Sequence, residues 1–292
     1  MPGKVFLTGC TGQVGHRLTL QLLEYGYEVF GARGFKRCNI ISPKHTCTQV
    51  DLLNPIEELN LEVIKPDVLV HTSWLTTPKE FWESEQNTEW IKASKRVINE
   101  FALSGGSYAV VTGSCAEYSW DTGRPLSESS EELPASSYGR AKLELLNWLR
   151  AGDLPFLWTR TFFQFGMKEP GGRLIPEAID SMLKGDLFTA RSGSDIRDFV
   201  YVKDVSRIIG LLISETLTGV VNIGSGAEVQ VKEVTNTIAE LIGRPDLLHF
   251  TENDIPKSSV VSNPHKLYSL IGRYRWTSLE TALLETIEAR KF

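Results

Sequence analysis

The chain has 292 residues, 41% of them hydrophobic and 23% charged. At roughly 150 residues per domain that makes one large domain or two modest ones, with ample apolar material for a core and too much for disorder. Lys and Arg number 31 against 36 Asp and Glu, a formal net charge of -5, so no cationic surplus exists to neutralise a nucleic-acid backbone.

The opening Met1-Pro2-Gly3-Lys4 gives way at once to Val5-Phe6-Leu7 and is broken at Gly9, which is too short for a signal peptide. Residues 4–8 are an apolar run of β-formers ending on glycine, expected to be a buried strand. Over 13–25, Val14, Leu18, Leu22 and Tyr25 fall at helical spacing, and Gly26 stops the helix. Strands are expected at 28–32 and, more weakly, at 48–50, then a helix over 56–64 closed by Lys65-Pro66. Residues 68–71 read as another buried strand. Residues 83–103 read as a long amphipathic helix with Trp90, Val97, Ile98 and Phe101 along one stripe. Further strands are expected at 107–112 and 156–161, separated by a loop and a helix over 138–150. No apolar run approaches the roughly 18 residues of a membrane span, and a cytoplasmic protein with no membrane partner is expected.

Such alternation implies an α/β fold with a doubly wound parallel sheet of the Rossmann kind. Beyond about residue 165 Pro and Gly become frequent (Pro170, Gly171, Gly172, Pro176) and the segments shorten. The expected organisation is a dinucleotide-binding domain over 1–165, with returning segments from about 190–225. Residues 166–292 are then a smaller, mainly substrate-binding α/β region over the carboxyl edge of the sheet.

Thr8-Gly9-Cys10-Thr11-Gly12-Gln13-Val14-Gly15 stands between the first strand and the first helix. Glycines there permit a tight turn and close approach of a diphosphate, whose charge meets amide donors at the helix N-terminus. After the second strand an acidic residue would hold the adenosine ribose, but this chain has Gly31-Ala32-Arg33-Gly34, followed by Lys36 and Arg37. The planar fork of Arg33 suits a 2′-phosphate, which favours NADP(H) over NAD(H). Asp51, with Leu52 beside it, is expected at the adenine.

Tyr138-Gly139-Arg140-Ala141-Lys142 opens a helix and sets Tyr138 and Lys142 one turn apart on one face. A phenol with a pKa of about 10 is a poor acid–base group near neutrality, and a neighbouring ammonium draws it down. Ser114, just past the fifth strand, would offer a hydroxyl to the same substrate oxygen.

With these motifs in order, the chain resembles the extended short-chain dehydrogenase/reductase family, in its NAD(P)-dependent epimerase/dehydratase branch of nucleotide-sugar enzymes. Two further stretches are similar to that branch: Arg197-Asp198-Phe199-Val200-Tyr201-Val202-Lys203-Asp204-Val205 and Asn222-Ile223-Gly224-Ser225-Gly226. The resemblance implies that Gly9, Thr11, Gly12, Gln13, Val14 and Gly15 cradle the pyrophosphate. It implies that His71, Thr72 and Ser73 lie against the cofactor, where Trp74 departs from the small residues the family carries. Tyr138 becomes the acid–base, Lys142 also holds the nicotinamide ribose, and Ser114 steadies the substrate. Trp74, Cys115, Tyr118, Phe163, Arg173 and Arg197 are expected around the sugar nucleotide, with the two arginines on its phosphates. Asn87 matches an asparagine common in the long helix. The family also implies a homodimer through the helices at 83–103 and 138–150, where Leu145, Leu146, Trp148 and Leu149 crowd all sides.

Dehydratases of this family carry an Asp-Glu pair after the Ser or Thr; here Cys115-Ala116-Glu117 interrupts it, which disfavours elimination. Cys10, Cys38, Cys47 and Cys115 show neither paired spacing nor Cys-x-x-Cys, so neither a disulfide framework nor a metal site is expected. The expected activity is therefore an NADP-dependent oxidoreductase (NAD being the other possibility) reducing a nucleotide-linked 4-keto-sugar. The alternative is a nucleotide-sugar 4-epimerase with tightly bound cofactor, and the non-enzyme alternative a cofactor-binding redox sensor.

Overall fold

The computed structural model describes residues 3–121, 123–191, 193–251 and 258–291. Met1 and Pro2, part of the opening read for a signal peptide, lie outside them. In chain order the first half runs β1 (Lys4–Thr8), α1 (Gln13–Glu24), β2 (Glu28–Arg33), β3 (His45–Gln49), α2 (Leu61–Ile64), β4 (Val68–His71), α3 (Gln86–Leu103), β5 (Tyr108–Ser114), α4 (Ser137–Arg150) and β6 (Phe156–Thr161). It continues with β7 (Phe163–Phe165), α5 (Leu174–Lys184), β8 (Phe188–Ala190), β9 (Ile196–Arg197), β10 (Phe199–Tyr201), α6 (Val202–Ser214) and β11 (Gly219–Ile223). The last elements are β12 (Val229–Gln230), α7 (Val231–Ile242), β13 (Leu248–Phe250), β14 (Ser259–Val260), α8 (His265–Ile271) and α9 (Leu279–Glu288).

Seven strands form one sheet in the order β11-β6-β5-β4-β1-β2-β3, and every pairing in it is parallel. Its central strands are buried on both faces, which is why Val5, Phe6 and Leu7 read as an unbroken apolar run. On one face α1 and α6 bring Leu18, Leu22, Val205 and Ile209 onto Val5 and Leu7. On the other, α3 and α4 bring Val97, Phe101 and Leu145 onto Phe6, Leu69 and Trp158. Strand order reverses between β1 and β4, and a crevice opens at the carboxyl ends of those two strands. A second body of short strands carries α5, α7 and α9, whose Ile179, Met182, Val234, Ile238 and Leu283 share a separate core. No helix among the described residues is long and apolar enough to cross a membrane.

Two elements differ from their sequence-based expectation. The third strand spans His45–Gln49 instead of 48–50. Its sequence HTCTQ is mostly exposed, so no apolar period marks it, and pairing with β2 from Val29↔His45 to Arg33↔Gln49 sets its limits. The helix expected over 56–64 shrinks to Leu61–Ile64 because Asn60 and Lys65, at φ 55° and 49°, turn left-handed at either end.

Candidate active site

The glycine loop leaves β1 at Gly9, whose φ of +74° glycine adopts without strain. A Cβ on Gly15 would stand 2.2 Å from the Gly9 carbonyl oxygen, so only glycine lets α1 begin this close to the turn. The N-terminus of α1 has no side-chain cap and no acid in its first turn. Its amide donors and positive dipole end therefore face the crevice unopposed.

Two cavities lie along the carboxyl edge of the sheet. One, of about 460 Å³, runs past Gly12, Val14, Ser73, Trp74 and Lys142. The other, of about 520 Å³, is walled by Ser114, Cys115, Phe163, Arg197 and Phe199. Tyr138, Gln164 and Arg173 line both, so the phenol stands where the cavities meet.

Ser136 caps α4 by accepting from the Gly139 amide at 3.1 Å, and the Tyr138 amide donates to Trp82 O at 2.9 Å. Phe81, Trp82 and Trp74 meet the Tyr138 ring edge-on at centroid distances of 5.0, 5.8 and 6.3 Å. Burial pushes the phenol up from its ordinary value, against a hydrogen bond from the Ser114 hydroxyl and the charge of Arg173. Ser114 is the last residue of β5, and its backbone amide donates to Glu117 Oε1 at 2.7 Å. The Trp74 indole in turn donates to Asn87 Oδ1 at 3.0 Å, and Asn87 Nδ2 donates to Phe81 O at 2.8 Å. Asn87 thus anchors both ends of the aromatic segment that leans on Tyr138.

Lys142 is buried, and its geometry differs from the simple ammonium–phenol pair that the spacing predicts. Nζ donates to Thr112 O at 2.9 Å and sits 3.8 Å from the centre of the Trp74 ring, whereas the Tyr138 ring centre is 5.9 Å away. Burial pushes Lys142 down to about 7, with Glu117 opposing.

Several other expected residues fall elsewhere. His71 turns into the interior, with Nδ1 2.8 Å from Thr8 Oγ1 and Nε2 2.8 Å from Ser94 Oγ, and does not reach the cavity wall. Thr72 and Ser73, which follow it, do line the cavity. Tyr118, 1% exposed, donates to Asn222 Oδ1 at 2.8 Å and lies under the Arg160 guanidinium, away from the sugar-side cavity. Trp74 faces the cavity beside the glycine loop and not the one beside Ser114. Arg33 spends Nη1 on Gly34 O, Lys36 O and Gln49 Oε1, at 3.0, 3.4 and 3.1 Å. Asp51 accepts from the Leu53 amide at 3.0 Å, and Leu52 is buried in the core beneath it.

Arg197 is fixed by Asp195 Oδ2 at 2.8 Å and by the Ile196 and Ser258 carbonyls, with its guanidinium 5.2 Å from the Phe163 ring centre. The next residue, Asp198, accepts from the Ser225 amide at 3.0 Å and the Gly226 amide at 2.9 Å, so the two C-terminal motifs bind each other. Burial pushes the Cys115 thiol up, which disfavours the thiolate. Glu117 is buried without exposure: Arg160 Nε donates to it at 2.6 Å and the Trp158 indole at 3.0 Å.

Sequence reasoning missed Gln164 and Glu169. The first sits on β7 between the cavities, and burial pushes the second up to about 7 on the sugar-side wall. A three-residue strand and an irregular loop carry no period that would have singled them out.

A dinucleotide fits the crevice on the structure's own terms. Gln13 Nε2, Trp90 Nε1, Gln164 Oε1 and Arg173 Nε are buried on its wall without a partner among the described residues. Buried polar atoms left this way await a ligand or water. Gly15 leaves the backbone bare where a diphosphate would approach.

The model of the NAD dependent epimerase/dehydratase family matches residues 5–224. The chain belongs to that family. UDP-glucose 4-epimerase of Rhizobium leguminosarum bv. trifolii is 24% identical over 308 aligned positions, covering 92% of this chain and 91% of that protein. Low-salt glycan biosynthesis protein Agl12 of Haloferax volcanii is 32% identical over 133 residues, a match spanning 43% of each chain. Among solved structures, MoeE5 in complex with UDP-glucose and NAD superposes with a TM-score of 0.82 at 27% identity over 99% of both chains.

One further grouping lies outside both cavities. The ligand atoms of Cys38, His45 and Cys47 lie within 4.8 Å of one another, and Cys10 Sγ stands 3.5 Å from Cys47 Sγ. Sequence spacing could not show it, because the parallel pairing of β2 with β3 creates the proximity.

Proposed function

We propose that this protein is an NAD-dependent nucleotide-sugar 4-epimerase, using Tyr138 as its acid–base group. The observation that carries the reading is Tyr138 at the junction of the two cavities, with Ser114 on the wall of the sugar-side one. When bound, NAD would supply a reversible hydride acceptor beside the sugar carbon that carries the reacting oxygen. Ser114 donates a hydrogen bond to the reacting oxygen while Tyr138 removes its proton and later restores it. Lys142, bound to Thr112 O behind the phenol, orients the ribose and adjusts the local charge. Phe163 and Phe199 exclude water beside the sugar, and Arg173 and Arg197 supply cations for the diphosphate.

Arg33 motivated an NADP-dependent reductase. Its guanidinium is engaged with Gly34, Lys36 and Gln49, which supports NAD instead. Elimination is disfavoured because no acid from 115–117 reaches the cavity: Glu117 is committed to Arg160 and Trp158. The names of the relatives point the same way, several being UDP-sugar 4-epimerases. In the division of labour we assign, residues 1–165 with returning segments at about 190–225 hold the dinucleotide, and 166–292 mainly the sugar nucleotide. The return of β11 to the large sheet supports it.

We assign a homodimer through helices 83–103 and 138–150. They are bridged within one chain by Lys95 and Glu144 at 3.0 Å and leave Trp148 half-buried. Sedimentation equilibrium should give twice the chain mass.

The test supplies NAD and UDP-glucose and follows both the sugar, by proton NMR, and the nicotinamide, by absorbance. The reading expects interconversion of the 4-epimers with no net reduced cofactor. Stoichiometric oxidation of NADPH against a 4-keto-sugar nucleotide would replace it with the reductase.

A further inference from the structure

Three of the four cysteines gather on one side of the glycine loop, away from both cavities, with a histidine among them. Cys47 lies on β3 directly across from Gly31 on β2, and His45 is two residues before it on the same strand. Side chains two apart on a strand share a face, so both point where the loop carrying Cys10 passes. A Cβ on Gly31 would stand 2.8 Å from Cys10 Sγ and 3.1 Å from His45 Nε2, so the missing side chain makes the space they share. Cys38 reaches the cluster from the connection between β2 and β3.

The bonding of His45 distinguishes this from a chance cluster. Nδ1 is 3.4 Å from Ile40 O, a contact that favours the tautomer with the proton on Nδ1. Nε2 is then a bare lone pair, and it is buried without a hydrogen-bond partner among the described residues. Metal-bound histidines are held in this way, one nitrogen on a backbone carbonyl and the other on the ion. The thiols are not a disulfide: at 3.5 Å, Cys10 and Cys47 stand well beyond a bond of about 2.05 Å. Two thiolates on one tetrahedral zinc, each at about 2.3 Å, would lie about 3.8 Å apart, which the Cys10–Cys47 separation nearly meets.

We propose that Cys38, His45 and Cys47 bind a zinc ion, with Cys10, which stands beside Cys47 but outside the three-residue group, drawn in as the fourth ligand on binding. Soft thiolate and imidazole donors without a carboxylate select zinc. The ion would tie the glycine loop, through Cys10, to the segment whose Gly34, Phe35 and Lys36 line the dinucleotide cavity. Binding would release thiol protons and stabilise the fold by linkage.

The test uses the full-length protein, purified under reducing conditions, stripped with a chelator and titrated with Co²⁺ as a spectroscopic stand-in. One equivalent should produce the d–d bands of tetrahedral cobalt with a thiolate charge-transfer band, and Zn²⁺ should displace it. Cys38→Ser and His45→Gln should each weaken binding at least about tenfold, the lower end for loss of one metal-site contact. Because a variant can misfold, wild-type protein is also alkylated natively with and without Zn²⁺ and read by mass spectrometry. Zinc should shield Cys10, Cys38 and Cys47 and leave the reaction of Cys115 unchanged. Absence of a cobalt spectrum, unchanged binding in folded Cys38→Ser, or equal alkylation with and without Zn²⁺ would overturn the site. So would a Cys10–Cys47 disulfide in protein that never met a chelator.

Discussion

Lys142 places its ammonium nitrogen 3.8 Å from the centre of the Trp74 ring, so the cation on the catalytic helix rests on an aromatic face in a buried setting. Burial still dominates and brings Lys142 from its ordinary 10.5 to about 7. Between those values the unfolded chain holds a proton that the folded protein has released, so stability from this group rises with pH across that window. Lys142→Met should therefore shift the Tm of the cofactor-free protein upward relative to wild type most at pH about 6, and progressively less by pH about 9. Calorimetry at both values checks it; a variant-minus-wild-type difference that does not change with pH contradicts it.

His71 carries the opposite end of the pH range. Its ring is buried between Thr8 and Ser94, and burial, with Lys142 adding to it, pushes it from 6.5 down to about 3. As pH falls through that window the unfolded chain gains a proton that the folded protein refuses, so stability is lost. A shift of that size is worth on the order of 5 kcal/mol at its acid limit. His71→Asn should flatten the acid limb of a urea-denaturation series; an unchanged limb would show that the ring takes up its proton without unfolding.

Glu117 and Arg160 form an ion pair at 2.6 Å with both side chains fully buried. Arg160 Nη2 also donates to the partly exposed Glu132 at 2.5 Å, so losing Glu117 leaves it a solvent-screened partner and costs up to about 3–5 kcal/mol, whereas removing both buried charges is milder. Glu117→Gln should lower the denaturation midpoint sharply, and adding Arg160→Met should recover much of it. Additive losses in that cycle would contradict the pairing.

Gly15→Ala tests the cradle. The added methyl would meet Gly9 O at 2.2 Å, an overpacking worth about 1–3 kcal/mol and so about ten- to a hundredfold in NAD affinity if the loop yields. Calorimetric titration with NAD measures it. Wild-type affinity would mean that the pyrophosphate does not use this turn.

The parallel sheet was legible because its central strands, buried on both faces, announce themselves as apolar runs. β3 was misplaced and the helix before β4 overextended because an exposed edge strand and two left-handed residues leave no apolar signature. Within the crevice, the glycine loop and the Tyr138–Lys142 step are local in sequence, and the structure sets them beside it. His71 and Tyr118 were assigned to the site by position alone. Whether a strand-end side chain turns into the cavity or the core depends on hydrogen bonds from distant partners, Ser94 and Asn222 here, that no spacing reveals. Gln164 and the Cys38–His45–Cys47 group were hidden for the same reason: tertiary pairing brings them into place.

The central claim is that the Tyr138 hydroxyl exchanges the proton of the reacting sugar oxygen. Tyr138→Phe removes only that oxygen and keeps the ring packed against Phe81 and Trp82. Turnover of UDP-glucose by this variant, measured beside its NAD affinity, should fall about 10²- to 10⁴-fold with the affinity unchanged. A variant that binds NAD normally and interconverts the sugar at the wild-type rate would contradict the account.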